Sequence, residues 1–187
     1  RYAVILLDMM GHGISASLVC MFISSVLREA IKQLVEPELV IKELNRYMVL
    51  IHNEKVGIPY YFTAVYMVVD TDQKTIEYVN AGHPPGFALI DDEKVVPISK
   101  SCCAVGFFDE IEVKKEVITY EKDIQIVLYT DGVLEGMGPD EIESEKQIEI
   151  LTSKKWDHSH ALIDNLLPKE KQQDQPDDMC VLMIQCK

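Results

Sequence analysis

The 187-residue chain is 48% hydrophobic and 26% charged, a composition that sustains one sizeable core and excludes a disordered or fibrous protein. Its 18 Lys and Arg against 31 Asp and Glu give a net charge of -13, which repels a phosphate backbone and an anionic bilayer surface, so neither nucleic acid nor a membrane is an expected partner. Five cysteines, odd in number and without a Cys-x-x-Cys spacing, point to reduced thiols in a cytoplasmic protein rather than to a disulfide framework or a zinc knuckle.

Arg1-Tyr2 stand directly ahead of an apolar strand, Ala3 to Leu7, which runs into Asp8; with no initiator methionine, earlier residues are expected to be missing. From Ser15 to Leu34 the chain lacks Gly and Pro and carries Leu18, Val19, Phe22, Ile23, Val26, Leu27 and Ala30 at helical spacing, with Ser15 as the expected N-cap. Its longest apolar stretch, Leu18 to Leu27, is broken by Ser24 and Ser25 and falls short of the roughly 20 residues that cross a bilayer. A second amphipathic helix is expected from Pro37 to Asn53, placing Leu39, Ile41, Leu44, Met48 and Ile51 broadly on one face.

From Tyr60 the period changes. Phe62 to Val69 and Thr75 to Val79 read as strands joined by the loop Asp70-Thr71-Asp72-Gln73-Lys74, a meander rather than a βαβ unit. Gly86 to Ile90 and Lys94 to Ile98 read as a hairpin around Asp91-Asp92, Glu112 to Thr119 as a further strand, and Ile126 to Thr130 as a strand that ends at Asp131. Two helices are expected between Pro139 and Leu167, a polar loop from Lys169 to Asp178, and a last strand from Cys180 to Ile184.

Three acids stand where a strand meets a loop: Asp8, Asp131 before Gly132, and Asp177 with Asp178. Oxygen ligands of this kind suit Mg²⁺ or Mn²⁺ rather than zinc. Each acid alone reads equally as a turn or cap residue, because Asp before Gly is a common turn dipeptide; together they point to one hard-metal site. Gly11 and Gly13 around His12 permit close backbone approach at the start of the first helix. The loop Asn80-Ala81-Gly82-His83-Pro84-Pro85-Gly86 is stiffened by two prolines, and His83 reads first as a structural hydrogen-bonding residue and second as a substrate contact. His158 and His160 read as surface residues.

The ordered set Asp8-Met9-Met10-Gly11-His12-Gly13, Asn80-Ala81-Gly82-His83-Pro84-Pro85, Tyr129-Thr130-Asp131-Gly132-Val133-Leu134-Glu135 and Asp177-Asp178-Met179 resembles the SpoIIE-like branch of the PPM metal-dependent serine/threonine phosphatases, nearest the RsbU/RsbP type of stress-response pathways. The resemblance implies an α+β fold, a four-layer α-β-β-α sandwich with two central antiparallel sheets, as one domain over residues 1–187. It implies a binuclear Mn²⁺ or Mg²⁺ centre in which Asp8 bridges the metals, the Met9 carbonyl binds one, and Asp131 and Asp177 complete the other, so that these three acids are catalytic through metal-activated water. Gly11, His12, Gly13, Asn80, His83, Gly132 and Asp178 are its substrate or loop candidates. The family supplies a further acid from a hairpin ahead of Arg1, which nothing here replaces, so one metal position is expected to be incomplete. In the family a histidine also follows the bridging acid more closely than His12 does.

The implied substrate is the phosphoserine or phosphothreonine of a STAS-type anti-anti-sigma factor in a sigma-factor or stress pathway, under an upstream sensor domain or activating protein. The helices between Ser15 and Asn53 are the candidate regulatory element. The rival reading, a pseudophosphatase that binds a partner without turnover, is opposed by the retention of three acids whose like charges destabilise the apo fold.

Overall fold

The computed structural model describes residues 1–11, 13–53, 60–138, 141–167, 169, 172 and 177–187. His12, and most of the expected polar loop between Lys169 and Asp178, lie outside the described residues. The chain divides into two compact units, residues 1–83 with 100–119 and residues 84–99 with 120–187.

The first unit holds strands β1 (Tyr2–Met9), β2 (Phe62–Asp70), β3 (Thr75–Ala81) and β6 (Glu116–Thr119), all antiparallel in the order β1-β2-β3-β6, with helices α1 (Ile14–Gln33) and α2 (Pro37–Asn53). The strand period of two divides the side chains of β1 and β2 between two faces. Phe62, Ala64, Tyr66 and Val68 join Ile23 and Leu27 of α1 and Val40, Ile41, Leu44 and Met48 of α2 in one core, with Ala3, Ile5, Leu7 and Met9 packed against it. The alternate residues, Leu6, Asp8, Thr63, Val65 and Met67, therefore belong to the opposite face. Phe62 is wholly buried, and its truncation to alanine would cost about 3–5 kcal/mol.

The expected helix from Ser15 starts earlier. Its N-cap is Gly13, at φ 90°, while Ser15 is exposed inside the first turn. By length and composition alone α1 is apolar enough to cross a bilayer, more so than the Leu18 to Leu27 stretch suggested, yet Ala16, Ile23 and Leu27 are buried within the chain. Pro37 opens α2 as expected, its preset φ suiting a first helical turn. The strand expected from Glu112 forms only over Glu116–Thr119: Lys115 instead spends its amide on Glu38 and its ammonium on Glu77 and Glu36.

The second unit holds β4 (Gly86–Ile90), β5 (Lys94–Ile98), β7 (Ile124–Tyr129) and β8 (Val181–Cys186) in the antiparallel order β5-β4-β7-β8, with α3 (Asp131–Met137), α4 (Glu141–Thr152) and α5 (Ser159–Leu166). The hairpin around Asp91-Asp92 keeps its expected bounds, both aspartates taking positive φ. Asp91 also caps the 121–123 turn, its carboxylate accepting from the backbone N–H of Glu121, Lys122 and Asp123. Those bonds, the Lys122 amide foremost, hold its carboxyl below the usual range. Phe87, Val127, Tyr129, Val133, Leu134, Ile148 and Leu162 form this unit's core. The two helices expected between Pro139 and Leu167 are α4 and α5; α3 was not foreseen.

Candidate functional site

Asp8 is the penultimate residue of β1 and half-buried, paired in register with Thr63. The strand pairing is extended past it by Met10, whose N–H donates to the Tyr61 carbonyl at 3.0 Å. Thr63 in turn shares a 2.8 Å hydrogen bond with His83 Nδ1, and the His83 N–H donates to Asn80 Oδ1 at 2.9 Å. Asn80 and His83 are both wholly buried, and the Asn80 carbonyl accepts from Ser101 and Cys102. This pair thus braces the strand end opposite Asp8, the structural reading given to His83 above. Beyond Met10, Gly11 and Gly13 have φ of 81° and 90°, values open to glycine at no steric cost. Gly13 also turns the chain into α1, its carbonyl accepting from the Ser17 amide and hydroxyl at 3.1 and 3.0 Å.

In the second unit β7 ends at Tyr129, and Asp131 is not a strand-end residue but the first residue of α3. Thr130, extended at φ -80° and ψ 161°, makes that turn. Its hydroxyl donates to the Asp178 carbonyl at 3.0 Å and accepts from the Cys180 amide at 2.9 Å, while its own amide donates to the Cys180 carbonyl at 3.1 Å. Three hydrogen bonds therefore lash the start of α3 to the segment entering β8. Buried Tyr129 secures the strand behind it by donating to the Pro85 carbonyl at 2.6 Å, and burial raises its phenol pKa.

Gly132 completes the approach. A Cβ there would meet the Asp178 carbonyl oxygen at 2.6 Å and carbonyl carbons of Asp178 and Asp177 at 3.0 and 3.2 Å. Only hydrogen in place of a side chain lets the 177–178 backbone lie against the residue following Asp131. Asp131, Asp177 and Asp178 are all exposed, and Asp177 accepts the Asp178 amide at 2.7 Å. The structure thus brings Asp131 and Asp177 to one edge of the second unit and places Asp8, with the Met9 backbone, on the first. Within either unit, no three His, Cys, Asp or Glu side chains converge to hold a metal among the described residues.

Thr130 and Asn45 escaped the sequence reading. The signal for Thr130 was its place immediately before Asp-Gly, the usual position of a helix cap. Asn45 lies in mid-helix and its partners are 61 to 64 residues away, so no local pattern announces it. Vicinal Cys102 and Cys103 are free thiols; burial, and secondarily the neighbouring Cys103, push the Cys102 thiol up to about 11. His158 caps α5, accepting the Ala161 amide on Nδ1 at 3.1 Å.

Compared with known proteins, residues 1–187 match the family model described as Stage II sporulation protein E (SpoIIE). The chain is 35% identical over 135 residues to phosphoserine phosphatase RsbP of Bacillus subtilis, covering 72% of this chain and 34% of that protein. It is 28% identical over 129 residues to phosphoserine phosphatase RsbU of the same organism, covering 68% of this chain and 37% of that protein. The chain spans about a third of the length of these curated relatives. The fold matches the SiaA-PP2C domain of Pseudomonas aeruginosa with a TM-score of 0.75 at 17% identity, over 99% of this chain and 76% of that one. The expected fold class, α+β with two central antiparallel sheets of the PPM type, is the one present: each sheet has four strands, and the described residues form five helices.

Proposed function

Because the chain belongs to the SpoIIE family, we propose that it is a metal-dependent protein serine/threonine phosphatase. The observation that carries the reading is the seat at Gly132, where the missing Cβ admits the Asp177–Asp178 backbone beside Asp131. The β7–β8 pairing, which ends at Tyr129 and Val181, carries the two acidic segments to this approach, and carboxylate oxygens are the donors that Mg²⁺ and Mn²⁺ take. Asp8, the Met9 carbonyl, Asp131 and Asp177 are the groups that would hold the cations. One solved neighbour of the same fold is a phosphatase in complex with two manganese ions and another is a complex with magnesium. Bound cations would lower the pKa of a water and neutralise charge growing on the phosphoryl oxygens.

The chain's own residues supply position. The bond from Thr63 to His83 and the turn at Asn80 fix the strand opposite Asp8, and with it the backbone position from which the Asp8 side chain starts. Thr130 does the same for Asp131 by binding both the Asp178 carbonyl and the Cys180 amide. In this reading Gly11 and Gly13 of the first unit, and Gly132 and Asp178 of the second, are candidates to meet the phosphorylated residue, as is His12, which lies outside the described residues, while His83 acts through Thr63.

The substrate we propose is a phosphorylated STAS-type anti-anti-sigma factor, as the resemblance of the motifs implies, in a stress or sigma-factor pathway under an upstream sensor; the two curated relatives, both phosphoserine phosphatases, support a phosphoserine as the group removed. Free cysteines throughout favour the cytoplasm. Phosphate release from such a phosphoserine protein, measured against Mn²⁺ and Mg²⁺, tests the reading: metal-dependent turnover supports it. Tight binding without turnover would replace it with the pseudophosphatase.

A further inference from the structure

Beside Asp8 the first unit carries an aromatic surface that the chemistry above does not use. The loop following β5 is stitched to β2, with Phe62 and Val105 exchanging amide-to-carbonyl bonds of 3.0 and 2.9 Å. Its next residue, Gly106, has φ 85°, and a Cβ there would meet Met48 Cβ of α2 at 2.8 Å. Asn45 of α2, 3% exposed, then clamps the turn. Its Oδ1 accepts the Gly106 amide at 2.7 Å, and its Nδ2 donates to the carbonyls of Phe108 and Asp109 at 3.1 and 3.2 Å.

What this clamp presents is two exposed phenyl rings. Phe107 and Phe108 are 54% and 55% exposed and meet edge to face, centroids 4.9 Å apart. Phe107 meets Tyr61 in the same way at 5.3 Å. Tyr61 lies two residues from Thr63, the register partner of Asp8, hence about 7 Å along the strand. Exposed Asp109 and Glu110 continue the loop.

Exposed aromatic rings held rigid are what protein interfaces use as anchors, since little entropy is lost when they are covered. The three hydrogen bonds from Asn45 fix the backbone that carries these rings, so they are presented without further ordering. We propose that Tyr61, Phe107 and Phe108 dock the substrate segment next to the phosphoserine, taking an apolar side chain, with a basic residue beyond it facing Asp109 and Glu110. The occupant follows from position and charge. The wall adjoins the Asp8 end of β1, so a chain delivering a phosphoserine there passes over it, and the acidic flank on a chain of net charge -13 selects a basic neighbour. The inference rests on the phosphatase reading for the identity of Asp8's ligand, but the docking itself is measurable without turnover.

The test uses two fluorescent peptides that carry a non-hydrolysable phosphonate in place of the phosphoserine ester, identical except for Leu or Ser beside it and each followed by two Arg. Binding to the full chain is read by anisotropy with Mn²⁺ present. The wild type should prefer the Leu peptide by about tenfold, near 1.4 kcal/mol. The pair Phe107→Ser with Phe108→Ser should bring the ratio near one while still binding the Ser peptide, and the pair Phe107→Leu with Phe108→Leu should restore most of it. No preference in the wild type, or equal weakening of both peptides in the Ser variant, overturns the docking. Release of phosphate from p-nitrophenyl phosphate by the wild type reads the activity separately. A Leu preference that depends on these rings, in a chain that turns nothing over, keeps the docking and removes the phosphatase.

Discussion

A methyl group on Gly132 would meet the carbonyl oxygen of Asp178 at 2.6 Å, closer than unbonded carbon and oxygen approach. The absent side chain is what lets the segment carrying Asp177 lie beside the helix that begins with Asp131. Everything proposed for the second unit depends on that approach.

Gly132→Ala should therefore separate the two acidic segments. Overpacking of this kind costs about 1–3 kcal/mol, and the rise in melting temperature that Mn²⁺ gives by mass action should shrink or vanish. Gly136→Ala, one turn along α3, meets side-chain atoms rather than backbone, Met179 Sδ at 3.2 Å and the Leu167 methyls at 3.5 and 3.6 Å, and should leave both quantities nearly unchanged. Thermal melts with and without Mn²⁺ distinguish the two; equal behaviour would remove Gly132's special role.

Asn45→Ala should loosen the 106–109 loop. It strands the Gly106 amide and deprives two carbonyls of their donor, and a buried polar group left unpaired costs about 1–3 kcal/mol. Chemical denaturation measures the loss, and hydrogen exchange should show the Gly106 amide newly unprotected. A stability unchanged from wild type would mean that the clamp is not formed.

Asp91 gives a pH dependence of determined sign. Its folded pKa is depressed by the amides of Lys122, Glu121 and Asp123, so its contribution is present above the unfolded value, about 4, and is lost as pH falls through the lower, folded value. Asp91→Asn keeps the positive φ that asparagine tolerates but removes the charge. The variant should be less stable than wild type at pH 7, and the two curves should converge in acid. Parallel curves from pH 7 down to pH 2 would contradict the assignment.

Much of this fold was legible because local chemistry and tertiary structure agree. Pro37 marks the first residue of α2, and Asp91-Asp92 set the bounds of the β4–β5 hairpin. The failures have physical causes. Helix α3 was hidden because seven residues containing Gly132 and Gly136 have poor intrinsic helix propensity; it is held by its lashing to the 178–180 segment, a contact nearly 50 residues away. The N-cap of α1 was misplaced because Ser15 has the right chemistry, while Gly13 has the φ that the turn demands. The acids were singled out from the residues around them, whereas the partners of the supports, Thr63 for His83 and Asp178 for Thr130, lie 20 and 48 residues away and no local pattern names them.

The central claim is that Asp131 serves a divalent cation in phosphoserine hydrolysis. The direct measurement is phosphate release from a phosphoserine STAS protein during a Mn²⁺ titration, comparing the wild type with Asp131→Asn, which preserves size and removes charge at an exposed position. The account predicts Mn²⁺-dependent release by the wild type, and a variant that folds with the same melting temperature in chelator but loses at least a hundredfold in rate at equal Mn²⁺. A variant as active as the wild type, with the same Mn²⁺ dependence, would contradict it.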